Sequence, residues 1–326
     1  MADEQFRVGF AREFELGKDE SVFSHQSAAR LLSHPGIILE TLPADEVRTE
    51  DFDHFDAIVV KRTSVPGQIV PKGKSRTRLV ARYGVGYDHI AVGACTRAGI
   101  VVTITPEGVR GPVASSVLTL MLALGHDLMR RDRLLKEGDW KRARAGIAQG
   151  LSGRTVGIIG FGNIGQEVLR LLRPFNVRAL VYSPRAEEAE ISAKGAKSVS
   201  LEELLKESDY VTVNCPLTDS TRHLIDAHKI GLMKKTAFLI NTARGAIIDE
   251  DALFASLREG RIGGAGLDVF TNEPVSSDEK LLTLENVITT PHILSWTEEA
   301  LVASSESVAD AIIACAQGGK PANAVN

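Results

Sequence analysis

The sequence predicts an α/β protein made of two parallel-sheet lobes in tandem. Its 326 residues amount to about two domains. Short β-branched runs alternate with helical stretches over most of the chain, the mark of parallel strands joined by crossover helices. That series breaks once, at Thr105-Pro106, and resumes near Leu151. Hydrophobic residues at 44% and charged residues at 25% are ordinary for a chain that folds throughout. A net charge of −4 gives no overall positive field to hold a nucleic-acid backbone or an anionic membrane, so neither is an expected partner.

In the first series, strands are expected at Arg7–Phe10, Gly36–Leu39, Asp56–Val60, Leu79–Arg82 and Ile100–Thr103. The apolar stretch Val113–Gly125 is interrupted by Ser115, Ser116 and Thr119 and is shorter than the roughly 20 residues of a membrane span, so it reads as a buried helix. It overlaps a long amphipathic segment, Ser115–Arg133, suited to link the lobes. The second series places strands at Thr155–Ile159, Arg178–Tyr182, Tyr210–Asn214, Ala237–Asn241, Gly264–Val269 and Val287–Thr290. Beyond Pro291-His292 only a helical segment, Thr297–Ala316, is evident, and topology returns it to the first lobe; the tail Gly318–Asn326 reads as loop. The expected domains are 1–104 with 296–326, and 105–295. Cys95, Cys215 and Cys315 lack ligand spacing, so no metal is expected, and the N-terminus lacks a signal-peptide pattern; both suit a cytoplasmic protein.

Gly160-Phe161-Gly162-Asn163-Ile164-Gly165 follows a strand and opens a helix that stops at Arg173-Pro174, before another strand. In that setting Gly160 permits a tight turn, Gly162 lets backbone N–H groups approach a pyrophosphate, and Gly165 allows close helix–strand packing. A dinucleotide cofactor is expected. At the end of the next strand, where an NAD site usually has a carboxylate on the ribose, this chain has Ser183, followed by Arg185. A hydroxyl does not repel a 2′-phosphate and a guanidinium can pair with it, so NADP is preferred. NAD remains the alternative if Glu187 or Glu188 folds back onto the ribose.

In an open parallel sheet, ligands lie beyond the carboxyl ends of the strands. Three such ends in the second lobe carry chemistry: Asn241-Thr242-Ala243-Arg244-Gly245, Asp268-Val269-Phe270 leading to Glu273-Pro274, and Pro291-His292. An arginine to clamp an acid, a histidine to carry a proton and a carboxylate to hold that histidine could meet on one rim.

These motifs, with Ser295 and with Gly84-Val85-Gly86-Tyr87-Asp88-His89-Ile90 in the first lobe, resemble the D-isomer-specific 2-hydroxyacid dehydrogenases, in particular the glyoxylate/hydroxypyruvate reductase group. The resemblance covers nearly the whole chain. It implies two Rossmann-like lobes, a discontinuous flavodoxin-like substrate domain and a doubly wound dinucleotide-binding domain, with substrate in the cleft between them, usually as a homodimer. Carried over residue by residue, Arg244 would bind the substrate's carboxylate and carbonyl oxygen, His292 would be the general acid and base, and Glu273 would hold its imidazole. Val85, Gly86 and Ser295 would contact substrate. Asn163, Ile164, Cys215, Pro216, Thr242 and Ala243 would line the cofactor with the glycines, and Asp268 would face the nicotinamide. The chain departs from the family pattern at Ser115, where an acid is usual, at Asn163, where many relatives have arginine, and at the bulky Trp296. Arg62 and Arg110 are placed in first-lobe loops where they could recognise a second anionic or hydroxylated substrate group or, equally, stand as solvated surface arginines. Glu273 argues against a formate dehydrogenase, which has glutamine there. The rival from another class is a dinucleotide-sensing binding protein or corepressor on the same fold.

Overall fold

The computed structural model of the chain describes residues 5–16, 18 and 21–326. The chain divides into two compact units, one running to Val109 and resuming over Trp296–Asn326, the other spanning Arg110–Ser295. The division falls inside a helix, at Arg110, where the sequence pointed to Thr105, so Arg110, expected in a first-lobe loop, stands instead on that helix as the first residue of the second unit.

In the first unit, β1 (Phe6–Phe10), β2 (Ile37–Thr41), β3 (Ala57–Val60), β4 (Leu79–Arg82) and β5 (Val101–Thr103) form one parallel sheet in the order β2-β1-β3-β4-β5. All four β3 residues are fully buried, which is why this strand reads as an unbroken apolar run without alternation. The Glu298–Ala316 helix starts at Thr297, whose hydroxyl accepts from the Ala300 N–H at 3.3 Å, and buries Val308, Ala309, Ile312 and Cys315 in this unit's core. The tail is not loop throughout: Ala324 bridges Thr103 antiparallel, and Val102 donates its N–H to Asn326 Oδ1 at 2.8 Å. It covers the backbone groups that β5 would otherwise leave open at the sheet edge.

In the second unit, β6 (Thr155–Ile159), β7 (Arg178–Tyr182), β8 (Lys197–Ser198), β9 (Tyr210–Val213), β10 (Phe238–Asn241), β11 (Gly264–Leu267) and β12 (Val287–Thr289) are parallel, in the order β12-β11-β10-β9-β6-β7-β8. The two-residue β8 is too short to show an alternation, so its sequence gives no sign of it. Chain order reverses between β6 and β9, which creates the switch point where an open sheet of this kind takes a ligand.

The linking segment differs from the expected single helix over Ser115–Arg133. One helix spans Pro106–Gly125, and a second, Leu128–Lys136, starts after Asp127, whose left-handed backbone (φ +54°) breaks the run. At 20 residues the first is long and apolar enough to cross a membrane by length and composition, yet 56% of its apolar window is buried inside the protein. Ala114, Val117, Leu120, Met121 and Leu124 share a core with Val156 and Ile158 of β6.

Candidate active site

The glycine loop lies at the switch point. Gly160 has φ +92°, and a Cβ there would come within 2.8 Å of the Asn214 carbonyl carbon and the Cys215 nitrogen beyond β9. A Cβ on Gly165 would lie 2.2 Å from the Gly160 carbonyl oxygen, so both positions exclude a side chain. A Cβ on Gly162 would meet nothing within 4 Å, so the loop's outer face is open to an approaching group. The Asn163–Leu172 helix that follows has no side-chain cap at Gly162, which leaves its first N–H groups and its positive dipole end directed at that opening. The loop therefore fits a pyrophosphate. Gly160 donates its N–H to Tyr182 O at 2.8 Å, which sets Ser183 beside the loop. Ser183 and Cys215 are half-buried, while Asn163, Arg185 and Pro216 are exposed. Burial pushes the Cys215 thiol up to about 11, so it is no nucleophile at neutral pH.

The three chemical strand ends belong to β10, β11 and β12, which are neighbours in the sheet. Beyond β10, the Asn241 amide bridges a turn, accepting from the Ala243 N–H at 3.0 Å and donating to Arg244 O at 2.9 Å. Thr242 and Ala243 thereby become the apex that presents Arg244. Gly245 makes the approach possible: a Cβ there would lie 2.0 Å from the Phe270 carbonyl carbon, so the Arg244 turn rests against the segment leading from β11 to Glu273. Glu273 Oε1 accepts from the Phe270 N–H at 3.0 Å, and its Oε2 lies 2.8 Å from His292 Nδ1. Burial pushes the Glu273 carboxyl up. The His292 and Phe270 hydrogen bonds, with the charges of His292 and Arg244, outweigh that and hold it below its ordinary value. An ionised Glu273 only accepts, so Nδ1 carries the proton of that bond and Nε2 is the end left for proton transfer.

His292 itself has φ +54°, a region a non-glycine residue enters at the expense of order 1–3 kcal/mol. The surrounding segment holds it there. Asp268 Oδ1 accepts from the Thr290 hydroxyl at 2.6 Å and the Ile293 N–H at 2.9 Å, and Oδ2 accepts from the Leu294 N–H at 3.3 Å. Ser116 donates to Leu294 O at 2.8 Å. What the structure shows of Asp268, only 4% exposed, is thus an anchor for the His292 loop. Its burial drives its carboxyl above the ordinary value despite those hydrogen bonds. Asn241, Thr290 and Ser116 were not foreseen as site residues; the only available signal was that each lies at a strand end or on the helix beside the core.

Val85 and Gly86 lie half-buried in the first unit, in a turn that opens at Gly84 with φ +125° and where Arg82 Nε donates to Gly86 O at 2.6 Å. Ser295, also half-buried, ends the second unit. Among the described residues no cluster of His, Cys, Asp and Glu is placed to hold a metal ion.

Residues 118–293 match the D-isomer specific 2-hydroxyacid dehydrogenase NAD binding domain. Over 285 residues the chain is 43% identical to a glyoxylate reductase of Pyrococcus furiosus, covering 85% of this chain and 84% of the relative. Among solved structures, a glyoxylate reductase from Paecilomyes thermophila superposes with a TM-score of 0.85 at 28% identity, over 98% of both chains. A D-lactate dehydrogenase from Aquifex aeolicus, solved with NAD and lactic acid, superposes with a TM-score of 0.83 at 28% identity, again over 98% of both chains. With the switch-point glycine loop and the adjacent strand ends carrying Arg244, Glu273 and His292, the chain belongs to the D-isomer specific 2-hydroxyacid dehydrogenases, enzymes that move hydride between a nicotinamide cofactor and a 2-keto or 2-hydroxy acid.

Proposed function

We propose that this chain reduces glyoxylate and related small 2-keto acids such as hydroxypyruvate, with NADPH preferred over NADH. The observation that carries the reading is the His292–Glu273 pair at 2.8 Å, with the Arg244 charge beside it, on neighbouring strand ends. The nicotinamide, when bound, supplies the hydride in reduction and accepts it in oxidation. Reduction places negative charge on the former carbonyl oxygen. Arg244 stabilises that charge and His292 Nε2 delivers the proton, while Glu273 keeps the imidazole oriented and compensates its charge. Val85 and Gly86 are assigned to the substrate carboxylate, and Ser295 to a further substrate contact.

NADPH preference is supported by Ser183 in place of a carboxylate and by Arg185, which is exposed and makes no ion pair among the described residues. We also propose a homodimer. Leu128, Met129, Leu135, Trp140 and Ile147 are each more than half exposed within one short stretch, and a second copy would cover them. The three free cysteines suit the cytoplasm, the setting we propose.

The test is a panel of glyoxylate, hydroxypyruvate and pyruvate with each reduced cofactor, followed by loss of nicotinamide absorbance. Turnover is expected, faster with NADPH, and Arg185→Ala should lower the NADPH-to-NADH ratio of kcat/KM by roughly tenfold or more. Cofactor binding without turnover of any 2-keto acid would favour the sensing or corepressor reading. An unchanged ratio in the variant would remove Arg185 from cofactor choice.

A further inference from the structure

Lys61 is the first residue beyond β3, and its ammonium nitrogen lies 3.1 Å from the centroid of the Trp296 ring. Trp296 is held just before the Thr297 cap of the terminal helix, in the same unit. The neighbouring carboxylate does not neutralise this lysine directly. Glu13 Oε1 accepts from the backbone N–H groups of Lys61 at 2.8 Å and Thr63 at 3.0 Å and from the Thr63 hydroxyl at 2.9 Å, while Oε2 accepts from the Arg62 N–H at 2.8 Å. Among the described residues no carboxylate pairs with the Lys61 side chain. Arg62 and Arg82 bring further positive charge to the same place. The Lys61 ammonium thus sits on an aromatic face beside further positive charge, with the nearby Glu13 carboxylate committed to backbone amides.

The loop carrying Lys61 runs beside the loop carrying Val85 and Gly86. Tyr83 donates its N–H to Val60 O at 2.8 Å, Val65 bonds His89 O at 3.0 Å, and Ala91 bonds Val65 O at 2.9 Å. The Arg82 guanidinium reaches Gly86 O from the strand between them. An ammonium seated on an aromatic face keeps N–H donors that do not point into the ring, and these can meet an anion.

We propose that Lys61, seated on Trp296, is a specificity-determining residue that takes a second carboxylate at the far end of the substrate, so that 2-keto dicarboxylic acids bind in preference to their monocarboxylic counterparts. The proposal rests on the reading of the chain as a 2-keto acid reductase whose first carboxylate contact is Val85 and Gly86. A distal carboxylate would give the Lys61 ammonium a counter-charge and would favour the charged form of the amine.

The preference depends on pH. The groups facing Lys61 are Glu13 from the turn after β1, Arg62 on its own loop, Arg82 on β4, and the Trp296 ring. Burial, then the charge of Arg62, and beyond it that of Arg82, push the Lys61 amine down to about 7 against the opposing pull of Glu13. Glu13 is raised by burial but brought below its ordinary value by the Thr63, Lys61 and Arg62 amides, so it stays ionised near neutrality. Lys61 is therefore the group that gains or loses charge there, charged below its value and neutral above it.

The test compares oxaloacetate with 2-oxobutanoate and 2-oxoglutarate with 2-oxopentanoate, pairs that differ in the terminal carboxylate, in wild type and in Lys61→Met. At about pH 6 the dicarboxylate of at least one pair should lead in kcat/KM by roughly tenfold; the ratio should collapse towards one at about pH 8.5, and in the variant at both pH values. A second readout needs no turnover: in a Trp140→Phe background Trp296 is the remaining tryptophan, and its fluorescence should respond to 2-oxoglutarate but not to 2-oxopentanoate, a response lost on Lys61→Met. If no 2-keto acid is reduced but this response is present and lost in the variant, the catalytic reading fails and the anion subsite stands. A kcat/KM ratio indifferent to pH and to Lys61→Met, or a fluorescence response that survives the substitution or never occurs, overturns the subsite.

Discussion

Glu273 shows how a single side chain can be tuned by its neighbours. Its carboxyl is about a third exposed, yet the Phe270 amide, His292 and Arg244 together outweigh burial and hold it below its ordinary value. The folded protein therefore binds this proton less tightly than the unfolded chain does. The stability contributed by the ionised pair is fully present above the ordinary glutamate value and is lost as pH falls through the lowered folded value. Glu273→Gln should accordingly lower the melting temperature at neutral pH by a few degrees, roughly what a loss of about 1 kcal/mol produces, and the gap to wild type should close as the solution is acidified below pH ~4.5. A gap that stays constant down to pH ~3 would show that the charge of Glu273 is not what the pair contributes. The same variant should lose keto-acid reduction at neutral pH by about 10–100-fold, mostly in kcat, because Glu273 acts on the proton carrier and not on substrate binding.

At the level of elements, the His292 loop is shaped by the strand beside it. Asp268 directly follows β11 and binds Thr290, Ile293 and Leu294 just beyond β12, so the left-handed conformation of His292 is imposed from beside a neighbouring strand. The raised carboxyl of Asp268 has the opposite sign from Glu273. The folded state binds its proton more tightly, so stability falls as pH rises from the ordinary aspartate value through the raised one, and the buried charge at neutral pH opposes folding. Asp268→Asn keeps an oxygen for Thr290 and Ile293 while removing that charge. It should melt no lower than wild type at neutral pH, yet reduce kcat by roughly tenfold because the loop's hold on Leu294 is weakened, with only the longer Oδ1 contact kept. A fall of several degrees in melting temperature at neutral pH would show instead that the charge stabilises the fold.

At the scale of the molecule, the apolar residues left on the second unit's surface bear on assembly. Trp140 is 62% exposed and Ile147 fully so, while Leu134 and Ala143 of the same stretch are buried. Light scattering after size exclusion should give twice the 35.1 kDa chain mass for wild type. A Trp140→Asp, Ile147→Asp double variant should shift towards the monomer, with the melting temperature of the protomer reporting whether the fold survives. A wild-type monomer would refute the homodimer.

The sequence by itself determined the series of strands apart from the two-residue β8, the glycine loop and the identity of the chemical residues, because each is a local property. An apolar run sets a strand, a glycine sets a turn, and Arg244, Glu273 and His292 each come within a few residues of the end of an apolar run. Its errors were local as well: the helix expected to continue to Arg133 stops at Gly125, since a left-handed Asp127 leaves no mark in the apolar periodicity, and the tail taken for loop pairs with β5. Only the tertiary structure decided that β10, β11 and β12 are neighbours, that Gly245 lets the Arg244 turn press against the approach to Glu273, and that Asp268 holds the His292 loop. It alone also placed Lys61 on Trp296, 235 positions later in the chain. Contacts of this kind depend on strand order and on backbone atoms meeting in space, and neither is written in the spacing of residues along one chain.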